Sequence, residues 1–159
     1  MEIIYEPLQM SDSAAFYRLA GDPRVAATMR FDCPRSAAES DAILEDYLSD
    51  GNRSFALRFP GEPGLWGVFA FKSEPGSDSA DLSEMFVPAQ WGRGLGGQVL
   101  HDMVELARRK GWYRTLGAYI LETNTASRRM VERNGFAECR RLRFPGMTED
   151  LVIYQLELS

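Results

Sequence analysis

The stretch VPAQWGRGLGGQVL, Val87 to Leu100, places four glycines within six residues: Gly92, Gly94, Gly96 and Gly97, with Arg93 among them. A strand-like run, DLSEMFV, precedes it. A helical pattern follows, with Leu95, Val99, Met103, Leu106 and Ala107 recurring at spacings of three and four until Gly111. A strand that passes through glycines into a helix leaves backbone N–H groups unspent at the helix N-terminus. Partial positive charge gathers there, so the junction is a seat for a phosphate. This junction lies past the midpoint of the chain and dictates an α/β fold.

The other elements follow from periodicity and punctuation. MEIIYEPL reads as a strand. MSDSAAFYRLAGD reads as a helix with Ser11 or Asp12 as N-cap and Ala15, Phe16 and Leu19 as its apolar stripe. Pro23 opens a further helical turn. RSAAESDAILEDYLSDG is a helix with Ala38, Ile43, Leu44, Tyr47 and Leu48 inward and Gly51 past its end. RSFALRF and LWGVFAF are strands joined by the turn PGEPG, and Lys72–Ala80 is a polar loop. TLGAYIL is a strand. NTASRRMVERNGF is a short helix stopped by Asn134-Gly135. AECRRLRF and DLVIYQLEL close the chain as strands. His101 shares a helix face with Gln98 and Glu105, away from the apolar stripe, and is expected at the surface.

A chain of 159 residues, 45% hydrophobic, fits one domain spanning 1–159 with a real core. No run of eighteen apolar residues marks a membrane span, and the acidic N-terminus does not read as a signal peptide. Cys33 and Cys139 match no metal or redox spacing, and with one histidine no metal site is expected. A reduced, cytoplasmic protein is expected. The net charge of −5 is unevenly spread. Residues 1–90 carry 7 Lys/Arg and 15 Asp/Glu, whereas residues 91–143 carry 11 and 5. The basic segment starts at the glycine loop, as an anionic ligand would require; solvated helix faces would give the same counts.

Three phosphate loops compete for this pattern. A Walker A loop needs Gly-Lys-Ser/Thr at its end, which is missing here. The dinucleotide fingerprint G-x-G-x-x-G fits Gly92, Gly94 and Gly97, and Glu122 even ends the next strand. In that fingerprint, however, the first glycine almost abuts the strand. Here Pro88, Ala89, Gln90 and Trp91 intervene, and too few strands follow for a doubly wound sheet. The third reading is a strand, a proline-containing splay, then x-x-G-x-G at a helix N-terminus.

In this third reading the chain resembles the GCN5-related N-acetyltransferases (GNAT family), whose signature is Gln/Arg-x-x-Gly-x-Gly/Ala. WGRGLG fits it from Trp91 to Gly96, with Trp91 standing at the Gln/Arg position. A second block is in register: Asn124, Ser127, Glu132 and Gly135-Phe136. GDPRVAATM and the ending RRLRFPGMTEDLVIYQLEL are similar to the branch of ribosomal-protein alanine acetyltransferases. The resemblance implies a mixed, mostly antiparallel twisted sheet of about seven strands, splayed at a cofactor cleft and flanked by about four helices. It implies acetyl-CoA as co-substrate and no metal. The cofactor would be held by Met85, Phe86, Val87, Trp91, Gly92, Arg93, Gly94, Leu95, Gly96, Gly97, Asn124 and Ser127. The acceptor would be a primary amine, on a protein N-terminus or a small cationic molecule, with no nucleic acid or membrane involved and a homodimer possible.

Acetyl transfer needs three groups. A backbone N–H among Glu84, Met85 and Phe86 would polarise the thioester carbonyl. Glu84, which interrupts an apolar run on one face with Leu82 and Phe86, is the first candidate for the base, with a strand-edge glutamate of no catalytic role as the other reading; Glu122 is the second candidate. The family's acid is often a tyrosine seven residues after the motif asparagine, but that position is Val131. Ser127 is then the candidate donor, unless its hydroxyl bonds its own helix backbone. Asn124 caps that helix, contacts the cofactor, or does both. The competing classes are a non-catalytic acyl-CoA-binding module of the same fold and, on the dinucleotide reading, an NAD(P)-dependent oxidoreductase.

Overall fold

A computed structural model describes residues 1–158. Seven strands form one sheet: β1 (Ile4–Pro7), β2 (Arg53–Arg58), β3 (Gly67–Lys72), β4 (Ser79–Phe86), β5 (Thr115–Leu121), β6 (Ala137–Leu142) and β7 (Leu151–Glu157), in the order β1-β2-β3-β4-β5-β7-β6. β1 through β4 pair antiparallel in chain order, with three helices inserted between β1 and β2, and β7 pairs antiparallel with β5 and β6. The exception is β4 against β5, which run parallel because a sixteen-residue helix, α4 (Leu95–Lys110), carries the chain back between them.

Alternation along the strands sorts side chains onto two faces. Ala80, Phe69, Phe71, Leu116, Ala118 and Ile120 pack against α4 and, through Val131, against α5 (Thr125–Arg133). Val68, Ala70 and Met85 pack on the other face against α1 (Ser13–Ala20), the one-turn α2 (Pro23–Ala26) and α3 (Ala37–Tyr47). Among the described residues no helix is long and apolar enough to cross a membrane.

Two local expectations change. Of the N-cap candidates Ser11 and Asp12, Asp12 holds the N-cap position of α1, which begins at Ser13 after a 3-10 turn, Met10–Asp12, but its side chain makes no capping bond to that helix. Asp12 instead accepts the Gln9 N–H at 3.0 Å and pairs with Arg58 at 2.9 Å, tying this turn to β2. Ala38 is exposed, and Ser40 is the buried residue of that turn. Leu44 and Tyr47 set the phase of α3, and Ala38 lies about 120° around the helix from Leu44. His101 is exposed, as its helix face requires.

Candidate active site

The site begins where two strands part. β4 and β5 pair only through Ser79–Asp81 against Thr115–Gly117. β4 stays bonded to β3 as far as Phe86, and β5 to β7 as far as Leu121. From Leu82 and Ala118 onward a wedge therefore opens between them, lined by strand edges with unspent backbone groups. The Val87 N–H donates to the Trp66 carbonyl at 2.9 Å. Alternate residues turn their N–H groups to opposite edges, so Met85 shares the direction of Val87, while Glu84 and Phe86 aim theirs into the wedge. The Phe86 carbonyl, on the same edge, accepts the indole Nε1–H of Trp91 at 2.8 Å. Trp91 thus pins the glycine loop to the end of β4 with its ring at the surface.

The loop has the geometry its glycines predict. Gly92 (φ 74°) and Gly94 (φ 77°) occupy left-handed conformations that a side chain disfavours. Gly96 serves packing instead: a Cβ there would stand 3.1 Å from both Met130 Sδ and the Phe86 ring. Nothing lies within 4 Å of a Cβ on Gly92, Gly94 or Gly97. Gln90 and Trp91 N–H groups close a turn on Val87 and Pro88, and Gln98 donates to the Gly94 carbonyl. The six N–H groups from Gly92 to Gly97 have no acceptor among the described residues. They lie at the positive end of α4, with the Arg93 guanidinium held nearby by Gln90 at 2.6 Å. Such a cradle fits a pyrophosphate.

Glu84 lies on the α4 face of β4 with Leu82 and Phe86, opposite Phe69 of β3. Its side chain keeps only partial access to solvent. Burial pushes its carboxyl up to about 8. Across the same face the Tyr5 hydroxyl donates to Asp102 Oδ2 at 2.6 Å. Burial, then the Asp102 bond and charge, and finally Glu84 raise the Tyr5 phenol above its ordinary range. Neither Tyr5 nor Asp102 carried a local signal in the sequence, since the two are 97 residues apart.

α5 closes the far side. The Asn124 Oδ1 caps it by accepting the Ser127 N–H at 3.3 Å. Arg128 anchors it to the sheet, donating to the Tyr154 hydroxyl at 3.0 Å and the Glu122 carbonyl at 3.1 Å. Ser127 lies one turn before Met130, the residue that touches the loop at Gly96, so the two share a helix face. The Ser127 hydroxyl makes no bond to its own helix; its N–H, not its oxygen, is used in the cap. Val131, at the tyrosine position, is buried in the core. The Glu122 carboxylate is taken by Arg141 at 2.9 Å, within an ion-pair cluster that also holds Glu138 and Asp150. Glu122 is thus tied toward β6, whereas Glu84 lies on β4 beside the wedge.

Comparison with known proteins agrees with this architecture. The family model of the acetyltransferase (GNAT) domain matches residues 2–137. No curated protein matches the sequence. Among solved structures, the fold is similar to that of spermidine N-acetyltransferase from Vibrio cholerae in complex with CoA and spermine (TM-score 0.85, 14% identity, 98% of this chain and 95% of that one). An acetyltransferase (GNAT family) from Bacillus anthracis aligns with TM-score 0.83 and 15% identity over 99% and 96% of the two chains. An N-acetyltransferase from Staphylococcus aureus Mu50 aligns with TM-score 0.79 and 21% identity over the full length of both.

Proposed function

The chain belongs to the GNAT acetyltransferase family, and we propose that it moves an acetyl group from acetyl-CoA to a primary amine, small or at a peptide N-terminus, in the wedge between β4 and β5. The observation that carries this reading is the run of unspent N–H groups from Gly92 to Gly97, continuous with the open edge of β4 that Glu84 and Phe86 occupy. The complex of the Vibrio cholerae relative with CoA and spermine supports both the co-substrate and the amine class.

Each step has a group in place. Acetyl-CoA supplies the acyl group as a thioester. The loop N–H groups hold its pyrophosphate, and the Phe86 N–H donates to the carbonyl oxygen, where negative charge gathers during attack. An alkylammonium, with a pKa near ~10, cannot attack until it loses a proton. The ionised Glu84 carboxylate accepts that proton, directly or through a water. The amine nitrogen then bonds to the carbonyl carbon and the C–S bond breaks. The departing sulfur takes the Ser127 Oγ–H proton, and the second proton lost by the nitrogen as it becomes an amide, relayed through solvent, restores Ser127.

The test is thiol release from acetyl-CoA with a panel of peptides, polyamines, aminoglycosides and amino acids, with the acetylated product identified by mass. Amine-dependent release is expected. Tight acyl-CoA binding with no amine-dependent release across the panel would instead make the chain a non-catalytic acyl-CoA-binding module.

A further inference from the structure

The opposite face of the sheet carries a second feature at the apex of the wedge. Asp81, the last β4 residue paired with β5, turns its carboxylate toward Gly117. Its Oδ1 lies 2.6 Å from where a Cβ on residue 117 would stand, so any larger residue there would have to push the carboxylate aside. The carboxyl is partly buried, and burial raises its affinity for a proton while the charge of Arg30 lowers it. Among the described residues it has no hydrogen bond and no ion pair, although two cations stand near. Lys72 is directly opposite on β3, yet its ammonium is 3.5 Å from the Tyr47 ring centre and bonded to Asp46 at 2.7 Å. Arg30, exposed on the segment between α2 and α3, lays its guanidinium carbon 4.3 Å over the Tyr119 ring. Tyr119 follows Gly117 by two residues and shares its face.

An aromatic face and an unpaired carboxylate side by side make a cation site. Resting on the amine-acetyltransferase reading above, we propose that Tyr119 and Asp81 bind a second positive charge of the acceptor, and that Arg30 stands in for that charge until the acceptor displaces it. Asp81 precedes Glu84 by three residues, roughly 10 Å along the strand, and turns to the other face, so an acceptor that reaches both threads the wedge. The acceptor is then a linear molecule whose second cation stands at least that far from its reacting amine, a reach that begins with a diamine of about six carbons. The acidic balance of residues 1–90, which build most of this face, has the sign that gathers such a molecule.

The probes are 1,6-diaminohexane and n-hexylamine, which share reacting group and chain length. The wild type is expected to acetylate the diamine with kcat/KM at least tenfold higher, the difference lying in KM. Asp81→Asn, close in size, should bring the ratio near one, and Tyr119→Leu should lower it severalfold. Arg30→Ala should lower KM for the diamine, since a competitor for the ring is removed. A ratio near one in the wild type, a ratio that survives Asp81→Asn in protein with wild-type acetyl-CoA affinity, or a raised diamine KM in Arg30→Ala would each overturn the proposal. If n-hexylamine and the diamine are acetylated equally, only the second cation site fails. If no amine of any kind releases thiol, the acetyltransfer reading fails with it.

Discussion

Glu84 holds its proton into the range where the reaction runs, and two predictions follow from the single cause, burial. Most Glu84 carboxyls keep their proton at pH 7, so log kcat/KM should rise with pH and level only when the amine is also neutral. Glu84→Gln should lower kcat/KM at pH 7 by ~10²-fold or more, with a smaller deficit at pH 9.5, where the free amine needs less help. An equal deficit at both pH values would remove Glu84 from proton transfer. The same shift has a thermodynamic sign. The unfolded carboxyl ionises near ~4.3, so between there and about 8 the native state holds the extra proton and stability falls as pH rises. Glu84→Gln escapes this, and its melting temperature should gain on the wild type between pH 5 and pH 8.5, at roughly 2–4 °C per kcal/mol. If the Ser127 hydroxyl protonates the leaving sulfur as proposed, Ser127→Ala should lower kcat by ~10²-fold while changing the KM for acetyl-CoA little. A kcat within twofold of wild type would leave the sulfur to be protonated by water. Glu84 was legible in the sequence as a charge interrupting an apolar strand face. Glu122, the second candidate, was legible too, but its pairing with the distant Arg141 was not.

At the scale of elements, the junction of β4 with α4 separates conformation from ligand contact. Gly94 has both a positive φ and open space, so Gly94→Asp sets a carboxylate at the mouth of the anion cradle. Its Kd for CoA should rise at least hundredfold in calorimetry. Gly97 lies within α4 with nothing near a Cβ. Gly97→Ala should therefore raise stability by up to ~1 kcal/mol in urea titration while weakening CoA binding, since the methyl group occupies ligand space. Weakened folding together with unchanged CoA affinity would contradict that assignment. The glycine loop, the strands and the long helix were readable because each carries its own period and stop signal. The phase of α3 at Ala38 was less so, because an alanine in the first turn fits either face until Leu44 and Tyr47 meet the sheet. The close approach at Gly96 was beyond local reading, since Met130 arrives from another helix.

Across the whole molecule, one topological fact organises the chemistry: the single parallel pair in an otherwise antiparallel sheet comes apart after three residues. The wedge exposes strand edge on one side, the cradle at the N-terminus of α4 ends it, and Asp81 with Tyr119 marks its apex on the opposite face. The sequence pointed to a splay near Val87-Pro88 through the proline and a family likeness, but the strands already part after Asp81. The apex was not legible, because Arg30, Asp81 and Tyr119 come from three segments with no shared pattern. Whether this wedge and its cradle hold acetyl-CoA can be read by titrating the labelled protein with acetyl-CoA and following backbone amide resonances. The largest shifts are expected at the N–H groups of Phe86 and of Gly92 through Gly97, with smaller ones at Asn124 and Ser127. Saturable shifts confined to other surfaces, such as that around Tyr17 and Arg24, or no shifts at millimolar acetyl-CoA, would contradict the account.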